Sequence, residues 1–199
     1  MPARRKGKRK NRRIKFSELN YVEKNYMQKG KAVIPVNLEK IEDLYMKHDY
    51  KQMELSDSVC AYIEEIAYMV PINTDIIIEI HCPEIDEDTQ NKVKKSIKNN
   101  YGMEIDDNEY DLSVNNKRAT IFALAGIIGL ILNIMLENLG RILSDFICVV
   151  WWVAIWDMVE ILILNNQEIK WKRLNNQQLY DSTIKFVFEE TTPKIEAKA

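Results

Sequence analysis

ATIFALAGIIGLILNIML, residues 119–136, is a run of 18 residues without a charged side chain. A second apolar run, FICVVWWVAIWDMVEILIL, occupies residues 146–164 and contains two acidic side chains. At 1.5 Å per helical residue, each run as a helix nearly crosses a hydrocarbon core of about 30 Å. One such run would also suit a buried helix of a soluble protein. Two runs joined by so short a link favour a two-helix transmembrane hairpin.

The charges around this hairpin predict its orientation. Basic residues flank the outer ends of the two runs, namely Lys117, Arg118, Lys170, Lys172 and Arg173. The link between the runs carries a single basic residue, Arg141. Because cytoplasmic flanks carry an excess of Lys and Arg, we expect the N- and C-termini in the cytoplasm and the hairpin in the cell inner membrane.

The first 15 residues form a second distinctive region. They contain nine Lys and Arg and no acidic residue, and no apolar segment of a signal peptide follows them. A block of like charge this dense predicts a disordered tail. Its candidate partners are anionic membrane lipids, a nucleic acid or an acidic protein surface, and it also favours a cytoplasmic N-terminus.

Residues 16–116 predict a cytoplasmic α+β domain. The clearest elements are a helix that Ser56 caps and Pro71 ends, and a strand at residues 75–82 (DIIIEIHC). Residues 31–36 resemble a short strand, which Pro35 either confines to a sheet edge or prevents from forming. Further helices are predicted at residues 17–29, after Asn37, and from about residue 84 to Gly102, followed by a solvated acidic linker at residues 106–111.

A last strand is predicted beyond the hairpin. In residues 182–190 (STIKFVFEE), Ile184, Phe186 and Phe188 alternate with Lys185 and Val187, which is typical of a half-buried strand. We expect it to pair with the strand at residues 75–82. The predicted fold is therefore an α+β cytoplasmic domain with a transmembrane hairpin inserted before the last strand. That strand belongs to a C-terminal segment at residues 165–190, and a tail follows at residues 191–199.

The first apolar run has one polar face, made of Gly126, Gly129, Asn133 and Glu137. Ala125 and Gly129 also form a small-xxx-small pair, which lets helices approach closely, and Asn can donate a hydrogen bond across such a contact. Two interpretations remain open. The face packs within the hairpin or between subunits, or it lines a pore.

The second apolar run contains Asp157 and Glu160, which lie three residues apart and share a helix face. A carboxylate near the centre of a spanning helix costs about 2.5 to 3.5 kcal/mol. Either the two acids orient the helix near the cytoplasmic boundary or bond a neighbouring subunit, or they lie on an ion or proton path.

The run from residue 150 to residue 160 (VWWVAIWDMVE) resembles a signature of a family of small uncharacterised prokaryotic two-span membrane proteins, roughly G-W-V-A-hydrophobic-W-E-P-hydrophobic-E. Five positions match: Trp152, Val153, Ala154, Trp156 and Glu160. The chain departs from the pattern at Trp151 in place of Gly, Asp157 in place of Glu and Met158 in place of Pro. The resemblance extends to the order of elements over residues 56–190, and it implies an architecture but no activity.

The sequence lacks the motifs of common enzymes. The six glycines form no phosphate-binding loop, and neighbouring strand residues such as His81 and Cys82 point to opposite faces. The odd, widely spaced cysteines indicate no disulfide framework. We therefore expect no enzyme, no cofactor and no metal site.

These features lead to two hypotheses for function. The first is a homo-oligomeric ion channel that the cytoplasmic domain gates, a layout similar to a membrane-disrupting effector of bacterial anti-phage defence. Its gating signal would be a protein partner or an anionic ligand, such as a nucleotide or nucleic acid, that contacts Lys92, Lys94, Lys95 and Lys98. The second is a non-conducting, membrane-anchored binding module or scaffold.

Overall fold

The computed structural model describes residues 16–49, 51, 54–136 and 141–188, which form an α+β structure with a four-stranded sheet and two long apolar helices. The helices are α1 (Phe16–Asn25), α2 (Asp57–Met69), α3 (Glu87–Leu136), α4 (Arg141–Glu160) and α5 (Asn166–Tyr180). The strands are β1 (Met27–Gln28), β2 (Lys31–Asn37), β3 (Ile76–Cys82) and β4 (Thr183–Phe188). A 3₁₀ turn, Ile41–Leu44, follows β2, and a π segment, Ile161–Asn165, joins α4 to α5.

The sheet has the order β1-β2-β3-β4. β3 is central and pairs in parallel with both neighbours, whereas β1 pairs antiparallel to β2. Parallel strands between helices are usually buried and rich in β-branched residues, and β3 fits this rule with Ile76, Ile78 and Ile80 all fully or nearly fully buried. The pairing predicted for β3 and β4 is confirmed, with Ile78 opposite Ile184.

Two compact units divide the chain. The first comprises the residues up to Glu104 and those from Leu174 onward, and it contains the sheet and its core. α2 contributes Ile63 and Ile66 to this core, and the first half of α3 contributes Val93 and Ile97. Gln178, on α5, fastens the same unit by donating hydrogen bonds from its Nε2 to the carbonyl oxygens of Pro71 and Thr74, at 3.0 and 2.7 Å.

The second unit, Ile105–Arg173, is a pair of antiparallel helices. On α3 the buried and half-buried positions alternate in steps of three and four residues: Ile105, Asn108, Leu112, Asn115, Ala119, Phe122, Gly126, Gly129 and Asn133. This is the 3.5-residue period of coiled-coil packing. The partner helix of this pair consists of α4, the π segment and the beginning of α5. It shows the same alternation at Ser144, Ile147, Trp151, Ala154, Met158 and Ile161.

The π segment interrupts the alternation on the partner helix. After Ile161 the next buried position is Asn166, five residues later, and Ile169 and Arg173 then resume the steps of three and four. A π segment accommodates one extra residue within a helix. The extra residue at Ile161–Asn165 therefore keeps α5 packed on the same face.

Three sequence predictions need correction. The helix expected after Asn37 is only the 3₁₀ turn, Ile41–Leu44. No helix end occurs at Gly102, because α3 continues through it to Leu136. The acidic residues at positions 106–111 are therefore not a linker. They lie on α3, where Asp106, Asp107 and Asp111 are exposed and Asn108 between them is buried.

The last strand also differs from the expected arrangement. The hairpin is not placed directly before β4, because α5 follows the π segment and occupies residues up to Tyr180. The end of this helix is buried at Asn176, Gln178 and Leu179, and Leu179 belongs to the core of the first unit. The predicted tails at residues 1–15 and 191–199 lie outside the described residues.

Candidate functional site

A cleft in the first unit collects three of the four lysines predicted to contact a ligand. Its volume is about 650 Å³. α3 contributes Lys94, Lys95 and Lys98 to its lining, together with Asn91 and Asn99. The opposite wall is the short connection from α5 into β4, residues 180–184. Lys92 does not line the cleft, although it belongs to the same helix.

The aromatic and polar groups around these lysines fix the shape of the cleft. The ammonium group of Lys94 lies 5.6 Å from the centre of the Phe186 ring, a cation–π contact that holds this side chain in place. Tyr180 adds an aromatic ring to the lining. Asp181 places one carboxylate there, and it accepts a hydrogen bond of 3.1 Å from Gln177 on α5.

Ser182 is the most informative residue of the cleft wall. Its side chain is 5% exposed, and its Oγ has no hydrogen-bond partner among the side chains and backbone groups that the structure describes. A buried hydroxyl without a partner costs roughly 1 to 3 kcal/mol. The three lysines give the cleft donors for several oxygen atoms of an anion.

In the second unit, the small residues of α3 allow close contact with α4. A Cβ atom added to Gly126 would lie 2.5 Å from Cδ1 of Ile155, and one added to Gly129 would lie 2.5 Å from Cβ of Trp151. Ala125, the third residue predicted to pack between helices, is exposed instead. Gly129 of the small-xxx-small pair therefore packs on α4 as predicted, with Gly126 instead of Ala125 beside it.

Asn133 also lies within the contact between the two apolar helices. Its Nδ2 donates hydrogen bonds to the backbone carbonyl and to Oγ of Ser144, at 2.6 and 3.0 Å. The amide therefore bonds inside one chain. Glu137, predicted on the same face, lies outside the described residues.

Asp157 and Glu160 occupy the end of α4. Asp157 is half-buried and Glu160 is exposed. Neither carboxylate forms a hydrogen bond or ion pair with another residue of the described ranges, 16–49, 51, 54–136 and 141–188. Both remain able to interact with water, a cation or another subunit.

Two polar contacts between α3 and α5 were not predicted. Asn166, 1% exposed, donates from Nδ2 to Oδ1 of Asn116 at 2.8 Å. Arg173 donates to Oε1 of Glu109 at 2.6 Å, which also makes an ion pair. Asn116 is exposed and lies outside the series of alternating buried positions along residues 105–133, so the sequence pattern carried no signal for this contact.

The surroundings of Cys60 in the first unit indicate that this cysteine has a structural role. Burial raises the pKa of the Cys60 thiol to about 11, and the nearby carboxylates of Glu64, Asp57 and Glu104 act in the same direction. Asn100 donates to Cys60 Sγ at 3.7 Å. Within the described part of the chain, no group of three or more His, Cys, Asp or Glu side chains could hold a metal ion.

No protein-family model, curated protein or solved structure matches this chain. The resemblance of residues 150–160 to a two-span membrane family stays a prediction.

Proposed function

We propose that this protein is a membrane-anchored binding module. Two helices of the chain are long and apolar enough to cross a membrane, and only 11% and 0% of their most apolar windows are buried. A core helix of a soluble domain would bury most of that surface. The exposed apolar surface of the paired helices is the observation that carries the proposal, because a bilayer removes such surface from water.

The contacts within the hairpin favour an anchor that is complete in one chain. Gly126 and Gly129 provide the close approach, and Asn133 finds its hydrogen-bond acceptors on Ser144. The three described residues of this polar face thus make their contacts inside the chain and need no second subunit. The basic residues at 117–118 and 170–173 support cytoplasmic termini in an inner membrane.

The membrane proposal can be tested by extraction and labelling. We expect the protein to stay with the membrane fraction after alkaline washing. In a chain without native cysteines, an impermeant maleimide applied to the outer face of the inner membrane should label Asp145→Cys and spare Lys24→Cys. Release of the protein by alkaline washing would contradict membrane insertion, and labelling of Lys24→Cys alone would contradict the orientation.

The cytoplasmic domain, in this proposal, binds an anionic ligand in the lysine-lined cleft. Lys94, Lys95 and Lys98 supply positive charge and hydrogen-bond donors. The volume of about 650 Å³ and the ring of Tyr180 suit a nucleotide, whose phosphates and base would meet the lysines and the ring respectively.

The cleft is tested by charge reversal on α3. Lys94→Glu combined with Lys98→Glu should weaken the binding of ATP or of a short oligonucleotide at least about tenfold, since each reversal replaces attraction by repulsion. Isothermal titration calorimetry on the purified full chain measures the change. Lys92→Glu, compared with Lys94→Glu alone, is the matched control, because both change the charge of the same helix by two units and only Lys94 lines the cleft. Equal loss in the control would show general charge attraction instead of a site.

A second function, a homo-oligomeric ion channel, is supported by Asp157 and Glu160. Two carboxylates on an apolar helix, without partners among the described residues, suit an aqueous path shared by several subunits. Such a channel could be gated through the lysine-lined cleft and act as an effector of anti-phage defence. Planar-bilayer currents distinguish it from the anchor: Asp157→Asn with Glu160→Gln should change ion selectivity in a channel, whereas an anchor gives no discrete currents with either chain.

A further inference from the structure

A second cavity lies within the helical unit, where the apolar run of α3 begins. Its volume is about 540 Å³. One face of α3 lines it with Glu109, Leu112, Ser113, Asn116, Lys117 and Thr120, and α5 contributes Arg173. The cavity therefore combines two basic side chains with the small hydroxyl groups of Ser113 and Thr120.

The two basic side chains keep the capacity to bind an anion. Lys117 is exposed, and no hydrogen bond or ion pair joins it to another residue in the described part of the chain. Arg173 uses one terminal nitrogen for Glu109, but its side chain is 39% exposed. A guanidinium has five N–H donors in a planar fork, so the Arg173 group can bind a second oxyanion beside Glu109.

The polar face continues into an apolar one along the same side of α3. From Lys117, a step of three residues leads to Thr120 and a step of four leads to Leu124, and further steps of four, three and four lead to Ile128, Ile131 and Met135. These four apolar side chains are 55%, 58%, 51% and 69% exposed. Because residues at these spacings share one helix face, a charged cavity and an exposed apolar stripe lie end to end.

We propose that this cavity binds the headgroup of an anionic phospholipid. The phosphate lies between Lys117 and Arg173 and accepts a hydrogen bond from the hydroxyl of Ser113, while an acyl chain follows Leu124 and Ile128. The hydroxyl proton of Thr120 is already donated to the carbonyl oxygen of Asn116 at 2.9 Å, so Thr120 contributes shape more than binding. This proposal rests on the membrane insertion proposed above. A phospholipid fills both the charged cavity and the apolar stripe beside it, whereas a soluble anion would fill only the cavity.

The arrangement agrees with how membrane proteins recognise lipids. Basic pockets between helices at the cytoplasmic boundary bind anionic headgroups, and each nearby basic residue contributes roughly a fivefold change in affinity. The carboxylate of Glu109 opposes this attraction, but its pairing with Arg173 neutralises much of its charge. The excess positive charge of the cavity then comes from Lys117.

The experiment uses the full chain reconstituted in nanodiscs that contain phosphatidylcholine with a minority of phosphatidylglycerol. After transfer to detergent, native mass spectrometry counts the phosphatidylglycerol molecules retained on the protein. We expect Lys117→Gln to lower retention about fivefold. Arg118→Gln, which removes an exposed charge one residue away from the cavity lining, should leave retention within about twofold of the parent chain.

Three results would overturn the proposal: equal retention of phosphatidylglycerol by both variants, equal retention of phosphatidylcholine and phosphatidylglycerol by the parent chain, or displacement of the lipid by inorganic phosphate at millimolar concentration. Alkaline extraction of the same variants separates this outcome from the membrane proposal. If Lys117→Gln loses the lipid and stays in the membrane fraction, the site is supported. If the parent chain itself is extracted, membrane insertion has failed.

Discussion

Single side chains set the distance between the two apolar helices. Gly126 and Gly129 both contact α4, but their neighbours differ in freedom. Cδ1 of Ile155, which faces Gly126, is the far end of a flexible side chain, whereas Gly129 faces Cβ of Trp151 and, at 3.4 Å, its Cα. A methyl group at position 129 must therefore move the helix backbone, and one at position 126 need only turn a side chain.

From this difference we predict unequal costs for two alanine substitutions. Gly129→Ala should destabilise the helix pair by roughly 1 to 3 kcal/mol, as overpacking usually does, and Gly126→Ala by less. Ala125→Val, on the exposed side of the same helix, is the control and should be close to neutral. Thermal unfolding of the detergent-solubilised protein, followed by tryptophan fluorescence, measures all three. An equal cost for the 125 and 129 variants would contradict the observed packing.

The thiol of Cys60 yields a prediction about pH. The pKa of this thiol is raised from 9.0 to about 11 in the folded protein. Between these two pH values the folded thiol therefore stays protonated while the unfolded thiol ionises. Its contribution to stability is thus complete below about pH 9 and is lost as the pH rises through about 11. At pH 9, iodoacetamide should alkylate Cys60 of a Cys82→Ser/Cys148→Ser chain roughly 50-fold more slowly than in urea, in proportion to the thiolate. Similar rates in both solvents would show an unshifted thiol.

Among the helices, the π segment has a clear structural cause. The alternation of buried positions on the partner of α3 contains one step of five residues, from Ile161 to Asn166, where a regular pattern requires four. The widened turn absorbs the additional residue, and Asn166 still reaches Asn116. The segment thus compensates for an insertion in the sequence.

We therefore predict that a single deletion in this segment is tolerated. Removal of Ile163 restores a step of four residues, so the helix can become a regular α-helix without losing its contacts. Removal of Val153, equally exposed but within a regular part of α4, should turn every later residue by about 100° about the helix axis and disrupt the pair. Gel filtration and protease resistance of the two variants distinguish them. Loss of folding in both would show that the π turn itself is needed.

The elements also show how far sequence patterns reach. The α2 helix and the β3 strand were predicted closely, because their buried residues recur at the period of each element. The end of a helix at Gly102 was predicted from one residue, and it is wrong. A glycine within a helix costs only about 1 kcal/mol, which the burial of Ile105, Asn108 and Leu112 beyond it offsets. The π turn depends on contacts with another helix and has no local signal.

The candidate site shows the same division between local and tertiary information. The lysines of α3 were predicted to contact a ligand because they lie on the solvent-exposed side of a helix. That Lys94, Lys95 and Lys98 line a cleft while Lys92 does not depends on the placement of residues 180–184. Ser182 carried no sequence signal, since its burial results from its position between α5 and β4. The predicted roles of Glu137 and of the two terminal segments stay predictions, because these residues lie outside the described ranges.

On the scale of the whole molecule, the first unit is assembled from segments that lie far apart in the chain. β4 lies beside the central strand β3, and Ile184 and Phe186 pack against the core. The fold of the first unit therefore requires a strand that follows both apolar helices.

We predict that this strand contributes substantially to stability. Ile184→Ala combined with Phe186→Ala should lower the free energy of unfolding by about 2 to 4 kcal/mol, because both half-buried side chains lose apolar contacts. Thr183→Ser with Lys185→Gln, at the exposed positions of the same strand, should cost under about 1 kcal/mol. Urea denaturation followed by circular dichroism gives both values. Equal values would show that β4 is held by its backbone alone.

The parallel pairing of β3 with β4 has a consequence for biosynthesis. One hundred residues, 83–182, separate the two strands, and the ribosome needs roughly 5 to 20 s to translate them. During that interval β3 exposes an unpaired edge. In the membrane-anchored protein proposed above, the two apolar helices enter the membrane during the same interval, so the order of translation would couple maturation of the sheet to insertion and leave chains that fail to insert open to proteolysis.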